Sequence, residues 1–406
     1  MDIFKKCFDY TVVEDAKKLG IYPYFHALNS RQDIEVIMEG GRKIMLGSNN
    51  YLGLTGDQRV IDASVEATQK YGSGVSGSRF LNGTLDMHIE LEAALADFLG
   101  YQAGLTFSTG FQSNLAILSS IAQRNDIIFC DRENHASIYD GTRLSYANLV
   151  RYHHNDMADL RKKLASADPE KAKIIVTDGV FSMSGDIAKL PEICQLAEEF
   201  GARVMVDDAH GFGTIGPNGK GTAAYFGLED KVDIIMGTFS KSLASLGGFM
   251  VGEAKVVDYV KHKARPFIFS AAMPPSNVAS ALKALEILKE EPQRVQNLLD
   301  ISQYARDKML SYNLRILDND NTPIIPIYTY GLYRTILACE ILFARGVYVN
   351  PVLPPASPEG ECLIRTSYTA THTKALIDEA VEIIADVLSS LPEDDEAILA
   401  MVQNRE

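Results

Sequence analysis

The residues best suited to chemistry in this chain are an aspartate and a lysine, each of which follows a short apolar run. Asp207 comes directly after Arg203–Val206, and Lys241 comes shortly after Ile234–Met236. A lysine at the end of a core strand is either solvated or chemically used, because lysine is rarely buried without a partner. One helix and one strand separate the two residues, so both side chains can reach one cleft. Taken alone, Asp207 as a helix cap and His210 as a packed side chain remain equally good interpretations.

Neighbouring polar residues indicate what this cleft binds. A lysine and an acid in one pocket suit pyridoxal phosphate, whose aldehyde needs a lysine Schiff base and whose ring nitrogen needs an acidic partner. The cofactor's phosphate needs a helix N-terminus with exposed N–H groups, and Ser108–Ser113 opens a helical pattern. Thr238 and Ser240 add hydroxyl donors. His135 follows another apolar run and could lie flat on the cofactor ring, although a single histidine is more often a structural group.

Three other patterns do not support the chemistry that they suggest at first. Gly72–Gly77 fits the Gly-x-Gly-x-x-Gly dinucleotide motif, but that motif needs a preceding strand, and a helical pattern precedes it here. A nicotinamide-dependent oxidoreductase is therefore the weaker alternative. Gly216–Gly221 lacks the first glycine and the final serine or threonine of a Walker loop, so it predicts a turn. His153 and His154 are adjacent, without metal-ligand spacing; we predict no metal site and assign them no role.

These residues need a sheet to bring them together, and the chain predicts one. Strands that are apolar on both faces and separated by helices indicate a mainly parallel sheet with its ligand at the carboxyl ends. The predicted strands are Leu105–Phe107, Ile127–Cys130, Lys173–Thr177, Arg203–Val206, Ile234–Met236 and Gly248–Val251. Polar clusters follow five of them, namely Ser108–Gly110, Asp131, Asp178–Gly179, Asp207–His210 and Thr238–Lys241.

The length and the pattern also predict a domain division. We expect an N-terminal arm at 1–50, a large cofactor-binding domain at 51–285 and a small C-terminal domain at 286–406. A helical pattern covers Val278–Lys289, and the acidic stretch Pro392–Glu396 predicts a frayed tail.

The composition excludes several classes of protein. With 46% hydrophobic and 23% charged residues, the chain is an ordinary globular protein. Its net charge of −14 opposes binding to nucleic acid. No apolar stretch is long enough to span a membrane, and no signal peptide is evident, so we expect a cytoplasmic protein. The five scattered cysteines predict buried free thiols rather than disulfides.

Taken together, the motifs resemble the α-oxoamine synthases, pyridoxal-phosphate enzymes that condense an amino acid with an acyl-CoA and decarboxylate the product. The resemblance covers nearly the whole chain. It rests on Ser48–Leu54, Thr177–Asp186, Val206–Gly211 and Arg365–Thr373. It implies an α/β protein with an aminotransferase-like (fold type I) large domain, a mainly parallel central sheet and a smaller α+β C-terminal domain.

The resemblance also implies roles for individual residues. Lys241 becomes the Schiff-base lysine, Asp207 the partner of the ring nitrogen, and His135 the residue stacked on the ring. The other implied positions are His210 and Ser182 at the ring hydroxyl, Gly110, Phe111, Thr238 and Ser240 at the phosphate, and Asn49, His135 and Arg365 at the amino acid substrate. The family's active sites are shared within a homodimer, and Arg265–Ser270 resembles the segment that reaches the partner's phosphate. Family members often carry a second hydroxyl two residues after Ser270, where this chain has Ala272.

Two segments bear on the substrate. Gly72–Leu85 and the double-proline loop Val352–Pro358 resemble the branch of the family that joins L-serine to a long-chain acyl-CoA and makes a 3-keto long-chain base for sphingolipids. This implies L-serine and a long-chain acyl-CoA as substrates, and a peripheral membrane contact for releasing the lipid product. Members that use glycine or alanine with a shorter acyl-CoA remain an alternative. A noncatalytic subunit of a larger synthase is a third, and the presence of Lys241 argues against it.

Overall fold

The computed structural model describes residues 2–317, 319 and 322–403. Two compact units make up the chain. The larger unit comprises Asn49–Leu299 and Asn319–Pro323, and the smaller unit comprises Met1–Ser48, Asp300–Asp318 and Ile324–Glu406.

The strands and helices alternate along most of the chain. The strands are β1 (Glu35–Met38), β2 (Gly41–Met45), β3 (Ala103–Phe107), β4 (Ile127–Asp131), β5 (Asn148–Tyr152), β6 (Lys173–Asp178), β7 (Arg203–Asp207), β8 (Ile234–Thr238), β9 (Gly248–Gly252), β10 (Ile324–Tyr330), β11 (Val347–Tyr348), β12 (Asn350–Val352) and β13 (Cys362–Ser367). The helices are α1 (Lys5–Phe8), α2 (Val12–Lys18), α3 (Gln58–Tyr71), α4 (Asp86–Leu99), α5 (Gly110–Ile121), α6 (Ala136–Ser145), α7 (Met157–Ala165), α8 (Leu190–Phe200), α9 (Thr222–Phe226), α10 (Ala254–Lys263), α11 (Arg265–Ile268), α12 (Pro275–Glu290), α13 (Gln293–Ser311), α14 (Leu332–Ala344), α15 (Lys374–Ser390) and α16 (Asp395–Gln403).

A seven-stranded sheet in the order β3-β9-β8-β7-β6-β4-β5 forms the centre of the larger unit. Its strands run parallel except for β9, which pairs antiparallel with β3 and β8. This confirms the predicted α/β class with a mainly parallel sheet. All six predicted strands are present, and β5 is an additional one. The pattern missed β5 because it lies at the sheet edge and its side chains alternate only weakly in burial, with Asn148 and Arg151 exposed.

Successive residues of the central strands supply both faces of this sheet with apolar side chains. In β4, Phe129 packs into one core cluster, while Ile128 and Cys130 pack into the other. The first cluster is closed by residues of α4, α8 and α12, and the second by residues of α5, α6 and α10. Full burial of one such side chain stabilises the fold by about 1.5–3 kcal/mol. Because both faces of the sheet are covered, the carboxyl ends of its strands are where a ligand can bind.

The smaller unit contains two three-stranded sheets, β1-β2-β11 and β10-β13-β12. The second is antiparallel and packs against helix α14. With α14 and α15, these sheets give the α+β character that was predicted for this part of the chain.

The prediction of a frayed acidic tail is wrong. Helix α16 begins at Asp395, and its Ile398 and Val402 are buried. The Asp395 carboxylate accepts the backbone N–H groups of Tyr333 and Arg334 at 3.1 and 2.9 Å, so it caps α14. Acidic residues are favourable in the first turn of a helix because of the helix dipole.

The structure bears on two expectations drawn from the composition, buried free cysteines and the lack of a membrane-spanning stretch. Cys130, Cys194, Cys339 and Cys362 are buried free thiols, whereas Cys7 is exposed, because helix α1 buries none of its residues. Among the described residues, no helix is both long and apolar enough to cross a membrane.

Candidate active site

A cavity of about 270 Å³ opens at the carboxyl ends of the central strands. Residues that follow five different strands line it. They include Thr109, Gly110 and Phe111 after β3, His135 after β4, Asp178 and Val180 around the end of β6, Asp207, Ala209 and His210 at the end of β7, and Thr238, Ser240 and Lys241 at the end of β8. The arrangement follows from parallel strands, whose carboxyl ends meet at one edge of the sheet.

Asp207 lies at the wall of this cavity with its carboxylate fixed by two donors. The side chain is buried, its Oδ2 accepts Asn114 Nδ2–H at 2.6 Å, and its Oδ1 accepts the Ala209 N–H at 3.1 Å. Asn114 projects from helix α5 and also donates to Ser137 Oγ at 2.9 Å. The acid is therefore held in one orientation, as a hydrogen-bond partner for a ring N–H would be.

The hydroxyls of Thr238 and Ser240 and the first turn of helix α5, which also line the cavity, suit a phosphate. Thr109 caps α5 by accepting the Gln112 N–H, and the first N–H groups of a helix have no partner within the helix. Thr238 Oγ1 and Ser240 Oγ lie 2.9 Å apart beside this helix start. A Cβ atom on Gly110 would approach Thr238 Oγ1 to 2.8 Å, so only glycine leaves this cradle open.

His135 forms a third wall and is held by its own neighbours. It caps helix α6: its Nδ1 accepts the Ser137 N–H at 3.3 Å and lies 2.7 Å from Ser137 Oγ. Burial lowers the pKa of His135, and the positive charge of Lys241 lowers it further, against the opposing effect of Asp207. The imidazole is therefore neutral near pH 7, with its proton on Nε2 because Nδ1 is an acceptor.

A buried carboxyl group adjoins this wall. Asp178 Oδ1 accepts the His135 backbone N–H at 3.3 Å. Burial raises the pKa of Asp178 well above its ordinary range, and the negative charge of Asp207 adds to this. A second negative charge beside Asp207 is therefore disfavoured at this edge of the sheet.

His210 lines the cavity and is held by a hydrogen bond to a tyrosine. The hydroxyl of the fully buried Tyr51 lies 2.7 Å from His210 Nδ1 and 3.2 Å from Asn49 Oδ1. When Tyr51 donates its one proton to Asn49, His210 Nδ1 donates to the Tyr51 oxygen. The chain Asn49–Tyr51–His210 therefore holds the orientation of the histidine ring.

Other residues singled out from the sequence lie elsewhere. Ser182 lies in the turn after β6. Ser270 follows α11 and lines a separate small cavity with Arg79, Ser108 and Gln112. Arg365 lies in β13 of the smaller unit, is buried, and donates from Nη1 to Ser367 Oγ at 3.2 Å. Asp131 was grouped with the strand-end clusters, but its carboxylate contacts His154 and Asn155.

The glycine run Gly72–Gly77 is a loop that follows helix α3, so no strand precedes it. It packs against the segment that includes Ser270: Ser78 and Ala271 form an antiparallel bridge, and the Ala272 N–H donates to Gly77 O at 2.9 Å. This is not the surrounding that a dinucleotide motif needs.

Sequence reasoning missed several residues that build the site, above all Asn114, Tyr51 and Ser137. Asn114 lies one helical turn after Gly110, which places both on the same face of α5. Tyr51 stands inside the quoted stretch Ser48–Leu54. The sequence therefore contains a signal for each residue, the helical spacing of Asn114 from Gly110 and the position of Tyr51 within Ser48–Leu54. Neither asparagine nor tyrosine by itself indicates a catalytic role, so these signals did not identify them.

Comparison with known proteins identifies the group to which this chain is similar. The model of the family described as aminotransferase class I and II matches residues 41–384. A serine palmitoyltransferase from Sphingobacterium spiritivorum is 54% identical, over 92% of this chain and 93% of its own. An 8-amino-7-oxononanoate synthase from Thermosipho melanesiensis is 40% identical, over 92% of this chain and 97% of its own.

A solved structure extends the similarity to the fold. The serine palmitoyltransferase from S. paucimobilis with a bound PLP–myriocin aldimine superposes with a TM-score of 0.93 at 35% identity, covering 96% of this chain and all of its own. This confirms the aminotransferase-like fold that was predicted. The chain belongs to the aminotransferase class I and II family and, within it, to the α-oxoamine synthases, the group that includes the serine palmitoyltransferases.

Proposed function

We propose that this protein is a pyridoxal-phosphate-dependent serine palmitoyltransferase, which condenses L-serine with a long-chain acyl-CoA and releases CoA and carbon dioxide to give 3-ketosphinganine. The observation that carries the proposal is the cavity that brings Lys241, the anchored Asp207, His135 and the helix start at Gly110 together. The similarity to relatives of that name, which extends over nine-tenths of the chain, supports the choice of substrates.

The residues present fit pyridoxal phosphate. The Gly110–Phe111 backbone, Thr238 and Ser240 would hold the phosphate at the start of α5, where a Cβ on Gly110 would intrude. Asp207 would accept the ring N–H and Lys241 would bind the aldehyde carbon. When bound, the cofactor supplies an electrophilic carbon for amines and a protonated ring that accepts the electron pair of a carbanion.

The protein's own groups then divide the work. Asp207, fixed by Asn114 and Ala209, keeps a proton at the ring nitrogen. Lys241 Nζ, as a neutral amine, removes the α-proton of serine and later returns one. His135, neutral through burial, stacks on the ring and presents Nε2–H to the serine carboxylate.

The remaining roles belong to the same proposal. His210, oriented by Tyr51, and Ser182 serve the ring hydroxyl, and Asn49 and Arg365 bind the amino acid, the guanidinium holding its carboxylate through two parallel hydrogen bonds. We further propose a cytoplasmic homodimer in which Ser270 reaches the phosphate in the partner's site, with a peripheral membrane contact for the lipid product. The predicted boundaries at residues 50 and 285 remain part of this proposal.

A second candidate is supported by one observation. The relative from Thermosipho melanesiensis carries the name 8-amino-7-oxononanoate synthase and spans 92% of the chain. A relative of this kind would share the lysine, acid and histidine and differ in its amino acid and acyl-CoA. The higher identity of the serine palmitoyltransferases favours serine.

An absorbance titration separates these candidates. The purified protein is loaded with pyridoxal phosphate, and the visible band of the cofactor is followed during addition of L-serine, glycine and L-alanine. We expect serine to change the band at the lowest concentration, and Lys241→Ala protein to lack the band of the lysine-bound cofactor. A response to alanine or glycine without one to serine would support the second candidate. Absence of any cofactor band in the wild type would overturn both.

A further inference from the structure

His154, which has no role in the sequence-based predictions, bridges two carboxylates of the larger unit. It follows the edge strand β5, and its side chain is 22% exposed. Its Nδ1 lies 3.0 Å from Asp131 Oδ1 and its Nε2 lies 2.8 Å from Asp186 Oδ2. Phe181 packs edge-on against the ring, with the centroids 4.4 Å apart. All of these residues belong to the larger unit.

The bridge requires a charged imidazole. Ionised carboxylates only accept hydrogen bonds, so both ring nitrogens of His154 must donate, and only the imidazolium has two N–H groups. Glu133 Oε2 lies 3.7 Å from Nε2 and adds to the negative surroundings. Burial alone lowers the pKa of His154, but the hydrogen bonds to Asp131 and Asp186 outweigh it and raise the pKa to about 10.

Each bridged carboxylate organises a segment next to a residue that lines the active-site cavity, His135 for the first segment and Val180 for the second. Asp131 ends β4, and its Oδ1 also accepts the Glu133 N–H at 2.9 Å, two residues before His135. The Asp186 carboxylate accepts Asn155 Nδ2–H at 2.7 Å as well.

The backbone of the second segment folds around Asp186. Asp186 O accepts the Phe181 N–H at 3.0 Å, and Phe181 O accepts the Gly185 N–H at 2.9 Å. These bonds close the turn Phe181–Asp186, which contains Ser182 and begins one residue after the cavity-lining Val180.

We propose that His154 is a positioning residue that locks segment 131–135 to turn 181–186 and thereby fixes His135 and Ser182 at the cofactor. The inference rests on the proposed function for the roles of those two residues. His154 acts through them and itself touches neither the lysine nor the acid of the site. Its neighbour His153 supplies a control, because its side chain is 56% exposed and pairs with Asp159 outside the bridge.

The test compares His154→Gln with His153→Gln in protein saturated with pyridoxal phosphate. By hydrogen-exchange mass spectrometry, we expect peptides over 131–136 and 181–187 to exchange about tenfold faster or more in His154→Gln, the change expected for loss of a hydrogen bond to a charged group. Peptides over β7 should not change, and His153→Gln should match the wild type throughout.

A second variant, Asp186→Asn, separates the contact of His154 with Asp186 from its contact with Asp131. It also serves as the test if His154→Gln does not fold. Asp186→Asn leaves the contact with Asp131 in place, so it should accelerate exchange in 181–187 much more than in 131–136. The proposal would be overturned by any of three results. These are wild-type exchange rates in both segments of His154→Gln, an equal acceleration in His153→Gln, and no acceleration over 181–187 in Asp186→Asn.

A kinetic readout separates positioning from mere stabilisation. In His154→Gln we expect the KM for serine to rise and the cofactor band to shift, since His135 contacts both ligands in the proposed function. Faster exchange with an unchanged serine KM and an unchanged band would reduce His154 to a structural residue and refute the proposal. If the wild type releases no CoA from serine and palmitoyl-CoA, the proposed function fails, while the exchange data still decide whether His154 joins the two segments.

Discussion

Replacing Asn114 by alanine tests whether the orientation of Asp207 governs cofactor binding. The change removes the Nδ2–H group that donates to Asp207 Oδ2 at 2.6 Å. Of the two donors described above for this buried carboxylate, the Ala209 N–H then remains. A hydrogen bond to a charged group contributes about 1.5–3 kcal/mol. If the cofactor's ring N–H depends on that orientation, the Kd for pyridoxal phosphate should rise roughly 10- to 150-fold, the equivalent of this energy.

The assay is a titration of apoprotein with pyridoxal phosphate, followed by the cofactor's absorbance. Asn148→Ala is the matched control, because Asn148 is exposed at the start of the edge strand β5. Thermal unfolding of both variants establishes that they are folded at the assay temperature. A Kd for Asn114→Ala within twofold of the wild type would show that cofactor binding does not depend on the Asn114–Asp207 hydrogen bond, and an equal loss of affinity in Asn148→Ala would show the same.

Three further predictions follow from the same structure. Lys241→Ala should abolish turnover and the absorbance band of the lysine-bound cofactor; turnover retained by this variant would remove Lys241 from the mechanism. Gly110→Ala should weaken pyridoxal phosphate binding at least tenfold, because its Cβ would lie 2.8 Å from Thr238 Oγ1, and an unchanged Kd would mean that the phosphate lies elsewhere. Because the pKa of His154 is raised from 6.5 to about 10, its stabilising effect is complete below pH 6.5 and is lost as the pH rises toward 10. The free energy of unfolding, from denaturant titrations, should therefore fall more steeply over that interval in the wild type than in His154→Gln, and parallel curves would contradict the charge assigned to His154.

The sheet could be predicted because its strands are apolar on both faces, and that same pattern located the polar residues at their ends. Edge strand β5 was not predicted, because Asn148 and Arg151 face solvent and the strand therefore lacks the continuous apolar pattern of the central strands. Helix α16 was predicted as a tail because of its acidic start. The evidence for a helix lies further along the chain, in Ile398 and Val402, which are four positions apart and both buried.

The supporting residues of the site could not be found in the same way, because their partners are distant in sequence. Asn114 bonds Asp207 from 93 positions away, and Tyr51 bonds His210 from 159 positions away. His154 is an ordinary histidine until the fold places Asp131 and Asp186 on either side of its ring. Sequence patterns thus identified groups with their own chemistry, and the structure was needed for those that act by orienting them.

Measuring CoA release from palmitoyl-CoA by the purified, pyridoxal-phosphate-loaded protein, with L-serine, glycine or L-alanine as the second substrate, decides whether the protein is a serine palmitoyltransferase. We expect CoA release with L-serine, a product with the mass of 3-ketosphinganine, and no release by Lys241→Ala. Release with glycine or alanine but none with L-serine would contradict the proposed function.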